Sequence, residues 1–117
     1  MDTSRLFIFA AGVCGAAGVA LSALASHQGG GNFGIAANFL LVHAPAFLAT
    51  GLLGGTRLIR AGSTVLLVGL LLFSLDLLAR HYLDSRVFPM AAPAGGLAMI
   101  AGWALIAVSA FFPSRAA

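Results

Sequence analysis

Lysine and glutamate are missing from this sequence altogether, and its only formal charges are six arginines and three aspartates. Charged residues make up 8% of the 117-residue chain, against about 25% in an ordinary soluble domain. The scarcity excludes several classes of function. Six arginines scattered along the chain do not form the clustered basic face that a phosphate backbone requires, so no nucleic-acid partner is expected despite the net charge of +3. Cys14 is the only cysteine, which excludes an intrachain disulfide and any cysteine-based metal set. It lies inside an apolar run and reads as a buried, inert thiol. The three histidines, His27, His43 and His81, include no close pair, so no metal site is expected. The glycine cluster Gly51–Gly55 follows no strand and reads as a helix end, not a phosphate loop. No cofactor and no enzymatic activity are expected.

What the chain has in excess is hydrocarbon: 61% of its residues are hydrophobic. A water-soluble globule of this length leaves more than about a third of its unfolded surface exposed, and the apolar excess would sit in that third. The excess therefore calls for lipid as solvent. A helix needs about 20 apolar residues to cross roughly 30 Å of hydrocarbon, and four runs qualify, at residues 6–25, 35–55, 62–83 and 92–112. Short separators, "SHQGGGNFG", "TRLIRA" and "DSRVFPMA", leave no room for a second domain. The expected architecture is one all-α transmembrane domain over residues 1–117, an up-down four-helix bundle. The first run has some features of a signal peptide, with Arg5 before it and "ALA" at Ala23–Ala25. It exceeds the roughly 7–15 residues of a signal h-region and is read as a span.

Arginines near the span ends set direction. Arg5, Arg57, Arg60 and Arg115 fall on one side, and Arg80 and Arg86 on the other. The four-arginine side is expected to be cytoplasmic, with both termini inside.

Helices associate in lipid through small residues and a few polar contacts. Gly18 and Ser22 continue a row from Cys14 at every fourth position, with Gly12 and Gly15 beside it. Ala94, Ala98 and Gly102 form a second row in the fourth span. Trp103 lies mid-span instead of in an interfacial belt, and its indole N–H needs an acceptor, expected to be a helix carbonyl or a serine. Ser22, Ser26, Ser74 and Ser109 are expected to bond carbonyls one turn back.

The intramembrane polar residues are His43 in "NFLLVHAPAFL" and Asp76, Arg80 and His81 in "FSLDLLARHYL". Inserting an aspartate near mid-span costs about 2.5–3.5 kcal/mol, while each Leu, Val or Phe returns roughly 0.3–0.6. The eight Leu, two Val and one Phe of residues 65–78 cover that cost. Arg80, four residues on, can neutralise Asp76 from the same face. Counted from the outer ends of their runs, His43 and Asp76 lie at one depth, about 10–12 Å, where neighbouring helices would let them meet. Their meeting reads first as a structural bond, from His43 to Asp76 or to a carbonyl freed by Pro45. A proton-coupled site is the second reading. Haem ligation by His43 with His27 or His81 is the weakest, because those histidines sit near the outer boundary.

"ALSALASHQ", "AANFLLVHAPAFL", "GLLLFSLDLLA" and "PAGGLAMIAGW" resemble, in order, the four blocks of the small membrane family catalogued as domain of unknown function 423. The resemblance implies a four-helix inner-membrane protein, with His27, His43, Phe73, Ser74, Pro93, Gly95, Gly96, Gly102 and Trp103 at family motif positions. The chain departs at Phe39, where the family has tyrosine, and at Leu75–Leu78, where it has Gly-Ser-Leu-Tyr, so Asp76 is particular to this chain. No activity comes with the resemblance. The functional expectation is a non-catalytic membrane protein, a small accessory or assembly subunit or a homo-oligomer, contacting lipid and other membrane subunits. A small proton-coupled transporter or channel using His43 and Asp76 is the alternative, and a haem- or quinone-binding redox subunit is a weaker one.

Overall fold

Four helices and three short connections make up the computed structural model, which describes residues 2–112: α1 (Thr3–Gln28), α2 (Gly31–Leu53), α3 (Arg57–Leu83) and α4 (Ala91–Ser109). Each is long and apolar enough to cross a membrane. No strand occurs among the described residues. The expected spans coincide with these helices, with shifted ends. The separator "SHQGGGNFG" shrinks to Gly29 and Gly30, because α2 begins at Gly31, four residues before its apolar run. The run at 92–112 stops as a helix at Ser109. Arg115, one of the arginines used for orientation, lies outside the described residues.

Local chemistry fixes the ends. The Asp2 side chain accepts from Arg5 N–H at 2.8 Å and caps α1, and Thr56 caps α3 by accepting from Ile59 N–H at 3.2 Å. Gly29 and Gly54, both at positive φ, close α1 and α2. Pro93 falls in the first turn of α4, where a missing N–H costs nothing. Met90, just before α4, sits at φ 67° and offers no side-chain cap.

Packing runs along the chain order: α1 against α2, α2 against α3, α3 against α4, with no other helix pair at backbone packing distance among the described residues. Contacting residues run in opposite directions along each pair. Gly15 faces Ala44 while Gly18 faces Leu41, and Gly69 faces Gly95 while Gly62 faces Gly102. Between α2 and α3, Thr50 bonds Ser63 while the Phe39 and Phe73 rings touch at 4.7 Å. The core comprises Phe7, Cys14, Leu40, Phe47, Leu66, Leu70 and Met99, with Phe7 and Phe47 stacked at 6.2 Å. Outward positions carry Val19, Val42, Leu52, Val68, Leu97 and Ile100, the surface that lipid solvates.

Two kinds of seam hold the bundle. On α3–α4 the backbones nearly touch: a Cβ on Gly95 would stand 2.6 Å from Phe73 N and 2.7 Å from Gly69 O. Seven residues away, a Cβ on Gly102 would stand 2.8 Å from Gly62 O and Leu66 N. Such approach permits Cα–H···O contacts and dense dispersion packing, the main attractions available between helices in lipid. On α1–α2, Gly18 and Gly51 serve likewise, the latter against Ser4 O at 2.8 Å. The α2–α3 seam has no such glycine and is filled by leucines, rings and one buried hydroxyl pair.

The small-residue rows are partly corrected by this geometry. Cys14 and Gly18 are buried, and Gly15, Ser22 and Ala98 are half-buried. Gly12 faces outward with nothing within 4 Å of a Cβ built there, so it packs against no other helix of this bundle. Ala94 is exposed, and the α4 seam is Gly95, Ala98 and Gly102. Gly62, Gly69 and Gly95 escaped the sequence reading because a search at every fourth position misses pairs seven apart.

Candidate functional site

Asp76 is fully buried, at 0% exposure, and its carboxylate takes three donors. Arg80 Nη2 donates to Oδ2 at 2.9 Å from the next turn of α3, the pairing that their spacing predicts. Val87 N–H donates to Oδ1 at 2.8 Å, and Ala92 N–H to Oδ2 at 3.1 Å. Ala92 belongs to the first turn of α4, whose N–H groups lack intrahelical partners. Asp76 therefore supplies from α3 the cap that Met90 cannot, with its negative charge at the positive end of the α4 dipole. It also pins the loop between Asp84 and Met90, both of which hold positive φ.

His43 is also buried, at 5% exposure, but in a different environment. Nδ1 lies 2.8 Å from Phe39 O, one turn back, and a carbonyl can only accept, so Nδ1 carries the proton. Nε2 of that neutral ring is then an acceptor, and Trp103 Nε1–H donates to it at 3.1 Å from α4. The acceptor for Trp103 is thus the histidine, not the carbonyl or serine expected from sequence. The carbonyl serving His43 is not one freed by Pro45 either, since Pro45 withholds its N–H from Leu41, two residues beyond Phe39.

His43 and Asp76 do not bond each other, and their expected common depth is corrected. The α2–α3 register set by Phe39–Phe73 and Thr50–Ser63 places Asp76 beside Ala36 and Ala37, about two turns of α2 before His43. Because α2 starts at Gly31 rather than with its apolar run, His43 lies twelve residues, about 18 Å, from the start of α2, against about 10 Å for Asp76 from Leu83 at the end of α3. His81 and His27 are exposed near the C-terminal ends of α3 and α1, with His81 against Phe33 at 4.3 Å. No cluster of three His, Cys, Asp or Glu residues able to hold a metal occurs among the described residues.

Four rings connect the His43 site to the central seam: Phe73 touches Phe39, Phe39 stacks on His43 at 5.9 Å, and His43 meets Trp103 at 5.7 Å. They line a partly open cavity of about 300 Å³, which α4 completes with Gly96, Met99 and Ile100. Toward the α2–α3 connection, Ser63 donates to Thr50 Oγ1 at 2.8 Å while Thr50 donates to Ala46 O at 3.1 Å, closing a polar chain inside the bundle. Ser26 and Ser109 bond carbonyls of their own helix, whereas Ser74 Oγ, buried, has no partner, against expectation.

The family model described as Protein of unknown function (DUF423) matches residues 9–96. The chain belongs to this family. The DUF423 match includes His43, Asp76 and the glycines of α3, and stops before Gly102 and Trp103. Comparison with curated proteins and with solved structures gives no match. As a DUF423 member with four membrane-crossing helices, the chain is a multi-pass membrane protein of a family without an assigned activity.

Proposed function

We propose that this protein is a non-catalytic integral protein of the bacterial inner membrane, acting as a small accessory or assembly subunit or as a homo-oligomer. The observation that carries this reading is that the two polar groups of the candidate site, Asp76 and His43, are consumed internally. Asp76 is saturated by Arg80, Val87 and Ala92, and both His43 nitrogens are engaged. Each is paired within the bundle, and among the described residues no nucleophile or base stands beside either. The outer faces of α1 and α4, which meet no other helix, offer apolar surface to lipid and to neighbouring subunits. Arg5, Arg57 and Arg60 gather at one end, while at the other Arg80 is neutralised by Asp76 and Arg86 alone remains, which supports cytoplasmic termini.

The transport alternative needs a polar path through His43 and Asp76. Their separation in depth and their satisfied bonds weigh against it. Haem ligation would require a second histidine at the same depth as His43, which His27 and His81 do not provide. Mass measurement in mild detergent, with identification of what co-purifies, tests the proposal. An assembly larger than one chain is expected, and a protein recovered only as a monomer from native membranes would overturn it.

A further inference from the structure

The cavity beside Trp103 combines three features that membrane packing alone does not require. Gly96 is the first. Glycine inside a helix is unfavourable relative to alanine, and Gly95 and Gly102 on the same helix offset this by backbone contact with α3. A Cβ on Gly96 would meet nothing within 4 Å, and the missing side chain leaves the cavity wall open there. The second is the wall of consecutive rings, Phe73, Phe39, His43 and Trp103, which offers stacking surface for a flat molecule. The third is the polar pair at its edge. Trp103 can only donate, and the tautomer fixed by Phe39 O leaves His43 Nε2 able only to accept.

A cavity of about 300 Å³ holds one ring system and is small for a macrocycle. It lies near the middle of α2 and α4, and a solute reaching that depth must dissolve in hydrocarbon. Trp103, 43% exposed, can yield its bond toward the opening. Between the two oxygen groups a quinone-type ring carries, the hydroxyl of the reduced form answers both members of the pair, accepting from indole N–H and donating to imidazole Nε2. A carbonyl answers Trp103 and leaves His43 Nε2 without a donor.

We propose that this cavity binds the ring of a membrane quinol, its hydroxyl inserted between Trp103 and His43, in preference to the oxidised quinone. The site is a binding site with no electron transfer implied, and it stands apart from whether the chain assembles with others. Trp103 is the only tryptophan, so its fluorescence reports the site directly. The full chain in lipid nanodiscs is titrated anaerobically with a short-chain benzoquinol and, separately, with its quinone. Saturable quenching is expected, with the quinol bound at least tenfold more tightly. Gly96→Leu fills the cavity and removes the saturable component. His43→Phe keeps the ring wall and brings the quinol-to-quinone ratio to about one, a readout independent of whether Gly96→Leu folds. Quenching that is linear in concentration for the unsubstituted protein, or equal affinity for the two forms, would overturn the proposal.

Discussion

Where α3 meets α4, glycine backbones touch at two levels seven residues apart; where α2 meets α3, the space between backbones is filled by leucines, phenylalanines and one hydroxyl pair. The first join leaves no room for an added atom. Its end at the α3–α4 loop is also locked, because Asp76 reaches across to the first turn of α4 and to the loop before it. The second join depends on side chains, and the cavity opens beside it, between the α2 rings and α4. Close contact and room are thus divided between the two: the α3–α4 join leaves no space between its backbones, and the place where α2 meets that pair retains a cavity.

That contrast can be broken most forcefully at Asp76. Asp76→Ala leaves the partly buried Arg80 without its partner and uncaps α4, and a loss of about 3–5 kcal/mol is expected in reversible detergent unfolding. Amide exchange at Val87 and Ala92 should accelerate together. If only one amide responds, the loop and the helix end are not held by a single clamp. Gly95→Ala comes next, at about 1–3 kcal/mol, because its methyl meets backbone atoms that cannot move aside. An effect near zero would mean that α4 slides freely on α3. Gly12→Ala should act in the other direction, stabilising by about 0.5–1 kcal/mol, since the position is open and alanine favours the helix. The smallest effects belong to the side-chain joins. A double-mutant cycle of Thr50→Val with Ser63→Ala, and another of His43→Phe with Trp103→Phe, should each return a coupling of about 0.6 kcal/mol. A coupling above about 1.7 kcal/mol in either would place it beyond such bonds in lipid and erase the distinction between the seams.

Much of the architecture was readable beforehand. Four runs of sufficient length gave four helices, because hydrocarbon admits few other ways to satisfy a backbone. The Asp76–Arg80 pair was readable too, since i to i+4 proximity is a property of one helix and needs no neighbour. The proposed meeting of His43 and Asp76 failed on a register error of a few residues: apolar runs locate hydrocarbon, whereas helices begin where backbone bonds allow, and α2 begins at Gly31. The Trp103–His43 bond was out of reach because it joins residues sixty positions apart on helices that are not sequence neighbours. A search for glycines seven apart would have found the α3–α4 seam, with Gly62 and Gly69 against Gly95 and Gly102.

The sequence by itself determined the solvent, the number of spans, the bias of arginine toward one end and the intrahelical neutralisation of Asp76. Each follows from composition or from the geometry of a single helix. Only the tertiary structure decided what each polar group serves: Asp76 caps α4 from α3, and His43 holds Trp103 with its tautomer fixed by Phe39 O. The physical reason is that hydrogen bonds are resolved over tenths of an ångström. The offset between two helices is set by the packing of their whole surfaces, and hydrophobic periodicity locates a face without locating its height.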